Sequence, residues 1–227
     1  MSHPDDPGER SGRWISPSAS PAKFSDQIRP AILSVVVLSL LTGCVFPLVL
    51  AAIARPLFPR QAGGSLITGG GVVIGSKLIG QEFARPEYFQ SRPSAAGNGF
   101  DATSSGGTNL GPNNPKLTNG ASDFAGIRNL AAEYRQRNGL APDAWIPIDA
   151  VTRSASGLDP HISPADAALE VPRVARARGL PEEVVQRLVA EHTEGPQFGF
   201  LGSPRVSVLE LNLALDQVSK PSPPASR

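Results

Sequence analysis

Hydrophobic positions follow two different patterns along the 227-residue chain. Residues 31–54, AILSVVVLSLLTGCVFPLVLAAIA, carry no charge and are bracketed by Arg29 and Arg55. A helix over this run rises 1.5 Å per residue and spans the roughly 30 Å hydrocarbon core with some tilt. The run therefore predicts one transmembrane helix over 29–55. Gly43 and Pro47 lie inside it, which membrane helices tolerate when neighbours satisfy the freed backbone groups. These two residues are candidates for packing against another helix.

After PLFPRQAGGS, whose two prolines block helix continuation, apolar residues come in short sets. SLI at 65–67, VVIGSKLIGQ at 72–81 and AWIPIDAVT at 144–152 are β-branched runs bounded by Gly or Pro, and predict strands. From Ser122 to Asn138, the positions Phe124, Ile127, Ala131 and Tyr134 share a helical face, with Ser122 or Asp123 as cap and Gly139 as terminator. Ser163, Pro164 and Asp166 open a further helix that Pro172 kinks or divides. Pro181, Glu182 and Glu183 open another, with Val184, Val185, Leu188 and Val189 on its apolar face. RVSVLELNLALDQV at the end predicts a short strand and then a helix. The expectation is an α+β domain over 56–218, with no internal repeat, between a disordered leader (1–28) and a disordered tail (219–227).

Between the strand and helix sets lies Ser91–Gly120, SRPSAAGNGFDATSSGGTNLGPNNPKLTNG. Its composition is that of disorder, yet thirty unstructured residues inside a domain are uncommon unless the loop has a job.

Charge narrows the function classes. The formal net charge is +1, from 21 basic and 20 acidic residues without a basic cluster, which gives no sign of nucleic-acid binding. The single cysteine, Cys44, excludes a disulfide framework and a cysteine zinc site. LLTGC also resembles a lipoprotein cleavage box, and AIA at 52–54 a signal-peptidase site. The apolar run is longer than the usual signal h-region and continues ten residues past Cys44, which favours a retained helix. Arg13, Lys23 and Arg29 before the helix against Arg55 and Arg60 after it lean slightly towards a cytoplasmic N-terminus.

SASGLDPHIS at 154–163 supplies Ser154, Ser156, Asp159 and His161, the residue types of a nucleophilic triad. A hydrolase using Ser156, Asp159 and His161 is one reading. These residues sit too close in sequence for a relay without a tight turn, and the G-x-S-x-G elbow is absent. A metal needs three or four ligands, and His192 is the only other histidine in the domain. Hydrogen-bonded loop and cap roles account for them better. GGVVIGSK at 70–77 misses the phosphate-binding loop, because Ser76 precedes Lys77 instead of following it. No D-K-T-G phosphorylation motif is present.

RPAILSVVVLSLLTGCVFPLVL, GSKLIGQEFARPEYFQSRPSA, SSGGTNLGPNNPKL, VTRSASGLDPHISPADA, RVARARGL and RVSVLELNLALD stand in this order. In sequence and spacing they resemble the KdpC family, the C subunit of the Kdp potassium-transporting P-type ATPase, over about residues 28–218. The leader is longer than the family pattern. The resemblance implies a non-catalytic, single-span accessory subunit of the bacterial inner membrane with an extracytoplasmic domain. It implies two partners, a channel-like potassium subunit and an ATP-hydrolysing subunit, and a catalytic-chaperone role that raises ATP affinity through a transient ternary complex with nucleotide. A domain outside the cytoplasm cannot touch cytoplasmic ATP, so that effect has to travel through the complex. ATP is implied at the level of the complex, the resemblance carries over no nucleotide-contacting residue of this chain, and no metal ligand set is expected. The expected partner interface comprises Arg92, Asn109, Asn114, Ser154, Ser156, Gly157, Asp159 and His161. Neutral oxygen-rich groups there suit a vestibule that passes a weakly held cation.

Overall fold

The computed structural model describes residues 23–218; the rest of the leader and the whole tail, both expected to be disordered, lie outside the described residues. The chain divides after Pro59 into two units.

The first unit is one apolar helix. Helix α1 (Phe24–Leu40) passes through a π-turn (Leu41–Val45) into α2 (Phe46–Leu57). Residues 24–28, placed in the leader by the sequence reading, are thus helical. Pro47 has no N–H to donate, and the widened turn just ahead of it takes up the mismatch; Thr42 Oγ1 donates to Leu38 O at 2.7 Å. The 34-residue run is long and apolar enough to cross a membrane, and none of its apolar window is buried. Cys44 is exposed within it, and an added Cβ at Gly43 would meet nothing.

The second unit is α+β. A short helix α3 (Pro59–Ala62) precedes the hairpin β1 (Leu66–Gly69) and β2 (Val72–Ser76). Gly70 and Gly71 form its turn, both at positive φ, the chemistry of a tight hairpin. The near-miss phosphate loop is therefore a hairpin, and Lys77 pairs with Glu210.

Helices α4 (Pro115–Asn119), α5 (Ile127–Asn138), α6 (Pro164–Arg178), α7 (Glu182–Glu191) and α8 (Val208–Val218) build the body. A small antiparallel sheet joins β3 (His161–Ile162), β5 (Arg205–Ser207) and β4 (Thr193–Glu194), with β5 in the middle. One core cluster packs Val171 and Val174 of α6 against Val185 and Val189 of α7, Leu211 and Leu215 of α8, and Phe89. The other places Tyr134 of α5 against Ala150 and Val151.

Three expectations need correction. AWIPIDAVT forms turns, not a strand: Val151 N–H donates to Ile148 O, Arg135 Nε donates to Ala144 O, and Pro147 lacks a ladder donor. Helix α5 begins at Ile127 with Gly126 as N-cap, because Ala121 and Phe124 exchange backbone hydrogen bonds at 2.8 and 3.1 Å and spend the preceding residues on a turn. Pro172 does not divide α6, which runs unbroken to its left-handed cap Gly179.

Pro86–Gln90 runs through the domain without belonging to a strand. Side chains satisfy its backbone instead. Asn212 accepts from Phe89 N–H at 2.9 Å and donates to Phe89 O at 3.0 Å. Arg173 donates to the carbonyls of Pro86 and Tyr88, Arg178 to Glu87 O, and Glu170 accepts from Gln90 N–H. Phe89 and Asn212 are both fully buried. Asn212→Leu, which keeps the volume and removes both bonds, should cost about 2–4 kcal/mol of stability by chemical denaturation. A loss under about 0.5 kcal/mol would show that the pairing is dispensable.

Candidate functional site

The loop 154–161 is a cage of hydrogen bonds. Ser154 Oγ accepts from Asp159 N–H and Ser156 Oγ from Leu158 N–H. Ser156 O accepts from Gly106 N–H and Ser105 Oγ, both at 2.9 Å. Ser94 Oγ donates to Gly157 O at 2.6 Å while accepting from Ala96 and Phe100. Gly157 sits at φ +68°, and a Cβ there would stand 2.6 Å from Ala96 N and 2.7 Å from Gly106 O. Only glycine fits such a crossing. The Ser/Gly/Asn stretch is thereby held against this loop by its backbone.

Asp159 is the electrostatic centre. Its carboxylate pairs with Arg92 at 3.0 Å, accepts from His161 N–H at 3.0 Å and lies 3.4 Å from His161 Nδ1. Burial pushes this carboxyl up, but the bonds from His161 and the Arg92 guanidinium outweigh it and hold it below the ordinary aspartate value. Arg92 also reaches Thr152 O and Oγ1 at 3.4 Å.

Of the predicted interface residues, Arg92, Ser154, Ser156, Gly157, Asp159 and His161 are thus one assembly. His161 belongs to β3 and not to the loop proper. Asn109 and Asn114 stand apart. Asn109 is exposed at φ +53°, and Asn114 caps α4 by accepting from Lys116 N–H at 2.9 Å. No hydrogen bond joins either to the Asp159 group among the described residues. The triad is not assembled: both serine hydroxyls accept turn amides, and neither is bonded to His161. No group of three or more metal-ligating side chains occurs among the described residues.

Sequence reasoning missed a second cluster beside this loop. Asp166, Glu170 and Tyr134 line a cleft of about 260 Å³ that Arg92 and Ser94 also border. Asp166 and Glu170 are 2% and 1% exposed. Tyr134 donates to Asp166 Oδ1 at 2.5 Å, and Arg173 pairs with Glu170 Oε2 at 2.5 Å. Burial pushes the Asp166 carboxyl up to about 8, and the like charge of Glu170 adds to the shift. Burial also raises Glu170, against the pull of Arg173, and raises the Tyr134 phenol. The signal in the sequence is two acids at i and i+4 on α6, on the face that also carries Ala167, Val171 and Val174. Reading Asp166 only as a first-turn acid concealed it.

Known proteins resemble this chain over most of its length. The family described as KdpC: K+-transporting ATPase, c chain, matches residues 28–217. A potassium-transporting ATPase KdpC subunit of Koribacter versatilis is 51% identical over 186 residues, covering 82% of this chain and 92% of the relative. The counterpart in Beijerinckia indica is 52% identical over 189 residues, covering 83% and 92%. That of Mycobacterium bovis is 45% identical over 192 residues, covering 85% and 98%.

Two outcomes follow from the geometry. Gly157→Ala should lose about 1–3 kcal/mol, read as a lowered unfolding midpoint, because the left-handed φ and the backbone crossing both oppose a side chain. For Asp166, the folded value lies near 8 and the unfolded value near 4. In that window the folded chain binds more protons, so wild-type stability falls as pH rises. Asp166→Asn abolishes the titration, and its stability relative to wild type should improve by about 1 kcal/mol per pH unit across the window; a pH-independent difference would contradict the assignment.

Proposed function

The chain belongs to the KdpC family of K+-transporting ATPase c chains, and we propose that it is the non-catalytic subunit of an ATP-driven potassium uptake complex, docking through the Arg92–Asp159 cage. Membership carries an accessory role in potassium uptake, and the apolar helix fits single-pass anchoring. In this reading the anchor lies in a bacterial inner membrane and the α+β unit on its extracytoplasmic side. There it contacts a channel-like potassium subunit, while an ATP-hydrolysing subunit is the other partner. Gly43 and Pro47 give the anchor a small-residue face and a widened turn against which a partner helix can pack.

The observation that carries the docking role is the hydrogen bonding that fixes the loop 154–161 in one shape, within itself through Ser154 and Ser156 and to the 94–106 segment through Ser156 O and Gly157 O. Neither hydroxyl is hydrogen-bonded to His161 or another base that would activate it, and a preformed surface loses little entropy on binding. This arrangement gives no support to the hydrolase reading. The lipoprotein reading finds none in the helix, which continues unbroken past Cys44 to Leu57.

The chain also acts as a catalytic chaperone that raises the ATP affinity of the hydrolysing subunit. From outside the cytoplasm that effect is a coupling free energy, and coupling is reciprocal. A non-hydrolysable ATP analogue should therefore tighten retention of this chain in the complex by the same factor by which the chain tightens ATP.

Extraction in mild detergent should copurify a channel-like subunit and a P-type ATPase at fixed stoichiometry, with potassium-stimulated ATP hydrolysis. The combined change Asn109→Ala, Asn114→Ala and Asp159→Ala should weaken assembly or lower potassium affinity by about tenfold or more. Unaltered assembly together with unaltered potassium affinity would refute the docking surface while leaving the family role intact.

A further inference from the structure

Strands β4 and β5 are the two arms of a hairpin whose far end carries no charge. Glu194 and Arg205 pair with each other at 2.7 Å, and the residues between them, GPQFGFLGSP, are all neutral. Their backbone closes on itself. Gln197 and Leu201 exchange N–H···O bonds at 2.9 Å in both directions, Gly199 N–H donates to Pro196 O, and Phe200 N–H donates to Gln197 O. Phe198, Gly199 and Phe200 are left at the tip. Phe198 is 87% exposed and Phe200 76%, with Leu201 half-exposed beside them. Phe198 also sits at φ +53°, where a bulky side chain is strained and glycine is not. Rings so exposed add little to the domain's own core.

The sheet fixes this tip relative to the Asp159 cage. β5 pairs with β4 on one side and with β3 on the other, where His161 stands opposite Ser207. Val208 N–H donates to Pro160 O at 3.1 Å and ties the end of the loop to the same strand. Ser203, Pro204 and Arg205, on the returning arm, line one cleft with Arg92, Asp159 and His161. From Pro204 to Phe200 is only about 13 Å of extended chain. Cage and tip therefore form one continuous surface, ion-paired at one end and aromatic at the other. That combination decides the class of partner. A bilayer surface would take the rings but leave the paired charges unmatched, and the neutral tip offers anionic headgroups no basic residue. A protein surface meets an apolar anchor and a charged rim together.

We propose that the hairpin tip is the apolar anchor of the docking surface, with Phe198 and Phe200 entering an apolar recess of the channel-like potassium subunit beside the place that receives the Arg92–Asp159 cage. This rests on the docking reading above and names the contact that supplies most of its affinity. Aromatic side chains with two rotatable bonds, on a backbone already closed by its own hydrogen bonds, lose little freedom on binding. The paired charges of the cage set register and discriminate against other partners. The strain at Phe198 is offset only in the complex.

The full-length chain carrying Phe198→p-benzoylphenylalanine is expressed with its partners, irradiated, and extracted in mild detergent. Val72, an exposed apolar residue of the β1–β2 hairpin, receives the same photoreactive group as a comparison. Position 198 should cross-link to a peptide of the channel-like subunit, and position 72 should not reach that peptide. Phe198→Gly combined with Phe200→Ser should keep or raise the unfolding midpoint of the isolated chain, because glycine relieves the left-handed φ. In the purified complex the same double variant should exchange against excess wild-type chain about tenfold faster or more, whereas Val72→Ser should exchange as wild type does. The proposal is overturned by cross-links from position 198 to lipid or to the ATP-hydrolysing subunit alone, or by no cross-link. Wild-type exchange of the double variant, equally fast exchange of Val72→Ser, or a markedly lowered midpoint of the double variant would overturn it too. A wild-type chain that copurifies with no channel-like subunit would remove the docking reading itself, whereas an intact complex with those tip results would remove the anchor alone.

Discussion

The backbone of Pro86–Gln90 is satisfied by side chains rather than by a neighbouring strand, and much of the domain is arranged around that constraint. A buried peptide group has to find a partner. Here Arg173 and Glu170 come from α6, Arg178 from the end of the same helix, and Asn212 from α8. These four side chains tie the segment to both helices at once. Phe89 can then enter the core shared by α6, α7 and α8. The chain leaving Gln90 is aimed at Asp159, where Arg92 forms its ion pair.

That solution places charge inside the protein. Glu170 has to be buried to reach Gln90 N–H, and Arg173 has to be buried to neutralise it and cover two carbonyls. Breaking one member of such a set leaves its partner uncompensated, which costs more than the pair contributes. Asp166 lies one turn earlier on α6, where its N–H completes the Ser163 cap and its carboxyl takes the Tyr134 hydroxyl. The cleft with its raised carboxyls is thus a by-product of how an unpaired backbone segment is held, and it lies beside the cage formed by the 154–161 loop.

The cage and the cleft differ in electrostatic character. Asp159 is partly exposed, paired and held ionised; Asp166 is buried and driven towards its neutral form. A fixed, charged, hydrogen-bonded surface suits docking of a partner, where preorganisation limits the entropy lost. Cage and cleft share Arg92 as a boundary residue.

The elements legible from sequence alone are those whose cause is local. The apolar run, the Gly70–Gly71 hairpin turn, the Ser163 cap and the Gly139 terminus rest on residues within a few positions of one another. The six ordered blocks likewise sufficed to place the chain in its family, which the comparison over residues 28–217 bears out. Tertiary structure decided what depends on distant partners. Residues 144–152 have the composition of a strand but turn instead, with Ala144 O taken by Arg135 of α5. The segment 86–90, which belongs to no strand, pairs with side chains 80 or more positions away. Asp166 reads as a helix-start acid, yet burial raises its carboxyl, with the like charge of Glu170 one turn on adding to the shift and the Tyr134 hydrogen bond opposing it. Periodicity and capping report short-range preference, whereas desolvation and backbone satisfaction are settled only when remote groups meet.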